Sequence, residues 1–210
     1  MQSTSSTSST RTVAGVAARA LPSVKVQSLA AVLAVIAAVA LPQIFHLGGA
    51  ALGLGPALGQ TLLPMHLPVL LVGLLAGPYA GVATGALAPV VSFALTGMPM
   101  APMVPFMVIE LASYGLVAGL LRGVSLPFGS AASTLPSPIE WLVKLLGAQI
   151  AGRLIDALAI GVAVALLGNT TMTVASVWAA VLTGLPGLVL QWIAIPAIMF
   201  AVDRASRRIS

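Results

Sequence analysis

The chain reads as long apolar runs broken by short stretches rich in Gly, Pro and Ser. A hydrocarbon core about 30 Å thick needs roughly 20 apolar residues in a helix to cross it. Six runs approach or exceed that length: residues 28–47, 61–76, 79–96, 103–122, 139–167 and 174–202. Between the second and third, Gly77-Pro78 ends one helix and opens the next, since proline lacks the amide hydrogen that a helix interior needs. The stretch 46–60 is rich in glycine and holds Pro56, so a loop resting on the membrane-embedded body is expected there. Residues 97–102 should form a tight loop, 123–138 is the least apolar internal stretch, and 168–173 turns the chain. The sixth run is expected to kink near Pro186 and Pro196. The predicted architecture is an all-α membrane protein with six transmembrane helices in one domain over 28–203. A polar, disordered tail covers 1–27 and a short tail covers 204–210.

Polar residues inside these runs carry the candidate chemistry. Met103, Met107, Glu110 and Tyr114 recur at spacings of four, three and four, which puts them on one helical stripe. An ionised carboxylate at mid-membrane costs about 2.5–3.5 kcal/mol on insertion scales, so the stripe should face protein or a water-filled cavity. In the fifth run Gln149, Arg153 and Asp156 share a face, and Arg153 can pair with Asp156 along the helix or bridge to Glu110. Such a set is either a polar pocket that orients a ligand or an ion pair that fixes helix packing. In the sixth run Gln191 needs hydrogen-bond partners and Trp192 offers a ring for stacking. Met98, Met100, Met103 and Met107 either line an adaptable apolar pocket or fill core. Trp141 and Trp178 fall where interfacial belts occur and read as membrane anchors.

Composition narrows the class. The chain is 59% hydrophobic and 6% charged, far from the roughly 25% charged residues of a soluble domain and from the polar bias of a disordered one. Thiol chemistry is excluded, because there is no cysteine. The net charge of +5 is no nucleic-acid signature, since the charges lie mostly near the ends of apolar runs rather than in one patch. With six spans, one side receives Arg11, Arg19, Lys25, Arg122, Lys144, Arg204, Arg207 and Arg208, and the other receives no Lys or Arg. Both termini are therefore expected in the cytoplasm. Ala38-Val39-Ala40 also has the form of a signal-peptide cleavage site, but the apolar run continues through Ile44 and Phe45, which favours a retained helix.

Residues 64–119 hold an ordered set of features. His66-Leu67-Pro68 opens a short helix, followed by Gly73, the Gly77-Pro78 break, Gly81, Pro89, Met98-Pro99, Glu110 and Tyr114-Gly115. In this order and spacing they resemble the substrate-binding S components of energy-coupling-factor (ECF) vitamin transporters. The resemblance implies a six-helix subunit of a prokaryotic plasma membrane that captures a water-soluble vitamin from outside with high affinity. It also implies three partners, namely a membrane coupling subunit and two cytoplasmic ATPase subunits. The chain has no G-x-x-x-x-G-K-[ST] phosphate loop, so ATP hydrolysis would fall to those partners. Ala30, Ala34 and Ala38 match the family's Ala-x-x-x-Ala docking surface for the coupling subunit. Six alanines between positions 30 and 40 would also produce that spacing by chance.

The candidate substrate-binding residues are His66, Met107, Glu110, Tyr114, Gln149, Arg153, Asp156, Asn169, Gln191 and Trp192. Plainer roles compete: a hydrogen-bonding group at a helix start for His66, packing for Tyr114, a turn for Asn169. Two histidines, one per loop region, do not make a metal site, and no cofactor is expected. Pantothenate is the first candidate ligand, from the His-x-Pro helix start and one arginine in the body, with thiamine precursors and pyridoxine-like compounds open. Two other classes compete with the importer subunit. One is a self-sufficient secondary transporter. The other is a membrane-embedded enzyme using Glu110, Arg153 and Asp156 as acid–base groups, although no nucleophile–base set accompanies them.

Overall fold

A computed structural model describes residues 21–55, 57–124, 126, 138–168 and 173–209. Most of the expected N-terminal tail, Arg11, Arg19, Asn169 and most of the 123–138 stretch lie outside the described residues. The described chain forms α1 (Val24–Ala51), α2 (Ala57–Leu62), α3 (His66–Ala76), α4 (Pro78–Thr96), a 3-10 turn (Ala101–Met103), α5 (Val104–Leu121), α6 (Pro138–Leu167), α7 (Val174–Thr183) and α8 (Leu185–Ile209). Six units are long and apolar enough to cross a membrane: α1, α2 with α3, α4, the 3-10 turn with α5, α6, and α8. This is the build of a multi-pass membrane protein. Its outer face carries exposed Leu33, Ile36, Leu154 and Ile193, apt for lipid rather than water.

Side-chain pairs set the direction of each helix. Gln27 of α1 sits beside Gly77, and Thr84 of α4 reaches the Ala31 carbonyl. Tyr114 of α5 lies on Gly152 of α6, while Leu121 lies on Gly147. Gln149 of α6 meets Gln191 of α8, and Trp141 meets Asp203. Helices α1, α4 and α6 therefore run one way and α3, α5 and α8 the other. One end of the bundle gathers Lys25, Arg122, Lys144 and Arg204; we call it the basic end. There Arg122 Nε donates to the Leu75 carbonyl at 3.1 Å, and Lys144 Nζ pairs with Glu140 at 2.7 Å while lying 4.5 Å over the Trp141 ring.

The closest helix packing is between α4 and α5. A Cβ added at Gly81 would land on the Gly115 carbonyl, and one at Gly115 would land on the Gly81 carbonyl. Gly73 of α3 approaches the same Gly115 carbonyl, at 2.7 Å for a built Cβ. In lipid, where apolar side chains gain little by leaving solvent, such close backbone contact is a main source of helix association. Gly73, Gly81 and Gly115 thus have a packing reason independent of any ligand.

Several boundaries differ from the sequence-based expectation. Helix α1 starts at Val24, inside the expected tail, with the Ser23 hydroxyl accepting from the Val26 amide. It also runs through His46 to Ala51, where a loop over 46–60 is expected, and α2 fills 57–62. The reason is Gly49: its bare backbone receives the Gly55 carbonyl as the chain folds back, and the Leu54 amide donates to the Gly49 carbonyl at 2.8 Å. The second run is two helices split at Leu63–Met65, and the sixth is two helices split at Gly184. A proline at 186 removes the amide that would bond to the 182 carbonyl, so the expected kink there becomes a full break. The expected tail from 204 is helical to Ile209. Trp141 is fully buried and donates to Asp203 at 3.0 Å, so it is no interfacial anchor, whereas Trp178 is exposed on α7.

Opposite outcomes are expected at two glycines. Gly115→Val should lower stability by about 1–3 kcal/mol through overpacking, whereas Gly48→Ala, with open space around it, should raise it by up to about 1 kcal/mol through helix propensity. Thermal unfolding of the purified protein in detergent reads both signs.

Candidate functional site

Helices α1 to α7 enclose a cavity of about 540 Å³ at the end of the bundle away from the basic end. The C-terminal third of α1 lines it through Pro42, Gln43 and His46, and α2 and the α2–α3 break through Gly59 to His66. Ser92 of α4, the Met98–Met103 connection, and Phe106, Met107 and Glu110 of α5 form another wall. Arg153 and Asp156 of α6 and one face of α7 complete it.

Glu110 lies on the inward stripe that its spacing predicts. Its Oε1 accepts from Arg153 Nη1 at 2.7 Å and from the Tyr114 hydroxyl at 3.0 Å. His66 Nε2 stands 3.6 Å from the same oxygen, beyond hydrogen-bond length but within ion-pair reach when protonated. Tyr114 can reach Glu110 because its ring occupies the space where Gly152 of α6 has no side chain. The His66 ring tilts against the Tyr114 ring at 5.5 Å between centroids. His66 owes its depth to being the first residue of α3, beside the Leu63–Met65 break. A buried carboxylate alone would cost several kcal/mol in lost hydration, and an arginine in good hydrogen-bond geometry offsets much of that. The pair ties α5 to α6 across the middle of the bundle.

Asp156 takes no part in this cluster. It lines the cavity at 4% exposure, and its Oδ1 has no hydrogen-bond partner. The expected pairing of Arg153 with Asp156 along α6 is not formed, because the Arg153 guanidinium turns to Glu110 on the neighbouring helix.

A second polar layer lies beside the first. Gln149 donates to Gln191 at 2.9 Å, Trp192 Nε1 donates to Gln149 at 2.7 Å, and Gln191 donates to the Leu63 carbonyl at 3.4 Å. This chain of bonds joins α6, α8 and the α2–α3 break. Gln149, Gln191, Trp192 and Tyr114 are expected to contact substrate, yet none of them lines the cavity. Their polar atoms are spent on one another and on Glu110. His66, Met107, Glu110, Arg153 and Asp156 do line it.

Comparison with known proteins finds no matching family model, curated protein or solved structure. Among the described residues no group of three His, Cys, Asp or Glu side chains could hold a metal ion. Ala34 and Ala38 are buried in the bundle, and Ala30 and Ala34 pack with Val72, Ala76 and Ala80. Of the three alanines expected to face a coupling subunit, Ala34 and Ala38 are buried and Ala30 is half-buried.

Several cavity residues were not among the sequence candidates. Gln43 is one, and its signal was present: a lone amide late in an apolar run, as unusual there as Glu110 is in its own. Its Nε2 is also buried without a partner. Ser176 and Thr183 gave no such signal, because their role depends on α7 being a separate helix.

A double-mutant cycle tests the ion pair. Glu110→Gln or Arg153→Gln alone should destabilise by about 3 kcal/mol, the lower end for breaking a buried pair. The double substitution should cost clearly less than the sum. Thermal unfolding in one detergent measures the coupling.

Proposed function

We propose that the protein is the membrane-embedded binding subunit of an ATP-driven importer, capturing a water-soluble vitamin or related micronutrient from outside the cell. The observation that carries this reading is the cavity: about 540 Å³, floored by Glu110, Arg153 and Asp156, at the end opposite Lys25, Arg122, Lys144 and Arg204. Ligand sites of small molecules have volumes of about 300–1,000 Å³, with mostly apolar walls and a few placed polar groups. The walls here carry Met103, Phe106 and Met107 beside the charged floor.

Orientation follows from the basic residues, which favour the cytoplasmic side. On that rule both termini are cytoplasmic and the cavity opens outward. The ordered motif over residues 64–119, with its likeness to the ECF vitamin-binding subunits, supports the same reading. On that reading the protein works in a prokaryotic plasma membrane with a membrane coupling subunit and two cytoplasmic ATPase subunits, since the chain has no phosphate loop of its own. Capture is then the task of this chain and energy input that of its partners.

Native mass spectrometry of the freshly purified protein tests capture. A small molecule should be retained at one per chain and be lost on Glu110→Gln. Reconstituted alone in vesicles, the protein should bind that molecule without accumulating it. Accumulation driven by an ion gradient would instead make it a secondary transporter.

A further inference from the structure

The floor of the cavity is not electrically even. Arg153 and His66 both turn to Glu110, at 2.7 and 3.6 Å, and neither serves Asp156. Tyr114 also gives its hydroxyl to Glu110. Asp156 is left on the cavity wall, more than nine-tenths buried, with an oxygen that accepts from nothing. A carboxylate oxygen withdrawn from water and unbonded is costly, and a donor brought by a ligand would remove that cost. Of the cavity-lining side chains, two are carboxylates and one is a guanidinium, with His46 and His66 the other titratable groups. The unbonded nitrogens on the wall belong to Gln43, a neutral amide, and to His66, whose ring faces Glu110; Arg153 already has its carboxylate partner, so an incoming anion would find no unpaired guanidinium and would face two acids.

From this arrangement we infer that the ligand is a small organic cation bearing N–H groups, a protonated amine or amino-substituted nitrogen heterocycle, whose N–H donates to Asp156. The inference rests on the proposed binding role and names the substrate class of that same site. The ligand's apolar body lies against Met103, Met107 and Phe106, whose soft and aromatic surfaces suit a flat ring. A charge-assisted N–H bond to a carboxylate is among the stronger hydrogen bonds, and cation–carboxylate attraction grows in a water-poor site. Pantothenate, itself a carboxylate, fits this floor poorly.

The test exposes the full-length purified protein to an equimolar mixture of water-soluble compounds in three charge classes. Thiamine, pyridoxamine and 4-amino-5-aminomethyl-2-methylpyrimidine are the N–H-bearing cations, pyridoxine and riboflavin the neutral members, and pantothenate, biotin and nicotinate the anions. Retained compounds are identified by mass spectrometry, and affinities follow from titration. The expected result is retention of a cation, with affinity at least about tenfold lower in Asp156→Asn, the loss of one charged hydrogen bond. Without ligand, Asp156→Asn should melt at the same temperature as the parent or higher, because no native bond is removed. Retention of an anion or a neutral compound, with affinity unchanged in Asp156→Asn, would overturn the charge assignment and leave the binding role standing. A folded protein that retains nothing would overturn both. A lower melting temperature for ligand-free Asp156→Asn would make Asp156 a structural group and also overturn the assignment.

Discussion

An ionised carboxylate cannot be left alone in a bundle whose outer surface is lipid, and Glu110 is placed there regardless. The surrounding structure satisfies that constraint. Arg153 is drawn across from α6 to a 2.7 Å contact, Tyr114 adds its hydroxyl, and Gly152 vacates the space that the Tyr114 ring needs. His66 comes to the same oxygen only because the second apolar run breaks at Leu63–Met65 and starts α3 there. Each of these features looks local, yet all four answer to one buried charge.

The bundle divides into a tight half and a hollow half. Toward the basic end the helices close on Leu74, Ala118, Trp141, Leu145 and Met199, with α4 and α5 in backbone contact through Gly81 and Gly115. At the other end two connections prevent closure. The fold-back after α1 and the break between α2 and α3 place short segments where a continuous helix would otherwise pack, and α7 is split from α8 at Gly184. The polar layer of Gln149, Gln191 and Trp192 forms a strut from α6 to α8 and anchors to the Leu63 carbonyl at the break. It holds the cavity's frame without entering it. Small residues thus make the rigid half, and broken helices make the hollow one.

Much of this was legible in the residues. Helix count and most span limits follow from apolar run length, and the inward face of α5 follows from the spacing of Met103, Met107, Glu110 and Tyr114. That Glu110 and Arg153 meet was a live option, because a buried charge needs a partner and few exist. What the one-dimensional pattern could not settle was competition between partners. Asp156, three residues from Arg153, is the nearer partner by sequence, but the guanidinium goes to the neighbouring helix. Likewise a mid-helix glutamine announces a need for hydrogen bonds without saying whether protein or ligand meets it, and Gln149 and Gln191 meet it in each other. Glycine was read as loop at 46–60, when at Gly49 it serves close packing inside a helix.

The absence of cysteine makes the central claim, a charged floor reached through a cavity that opens outward, directly measurable. Single substitutions Met107→Cys on the cavity wall, Met100→Cys at its rim and Leu111→Cys in the core place one thiol at each depth. Treated in intact cells with a membrane-impermeant maleimide, Met100→Cys and Met107→Cys should react and Leu111→Cys should not. A Met107→Cys thiol that stays unreactive while Met100→Cys labels, or that labels only after the cells are opened, would contradict the account.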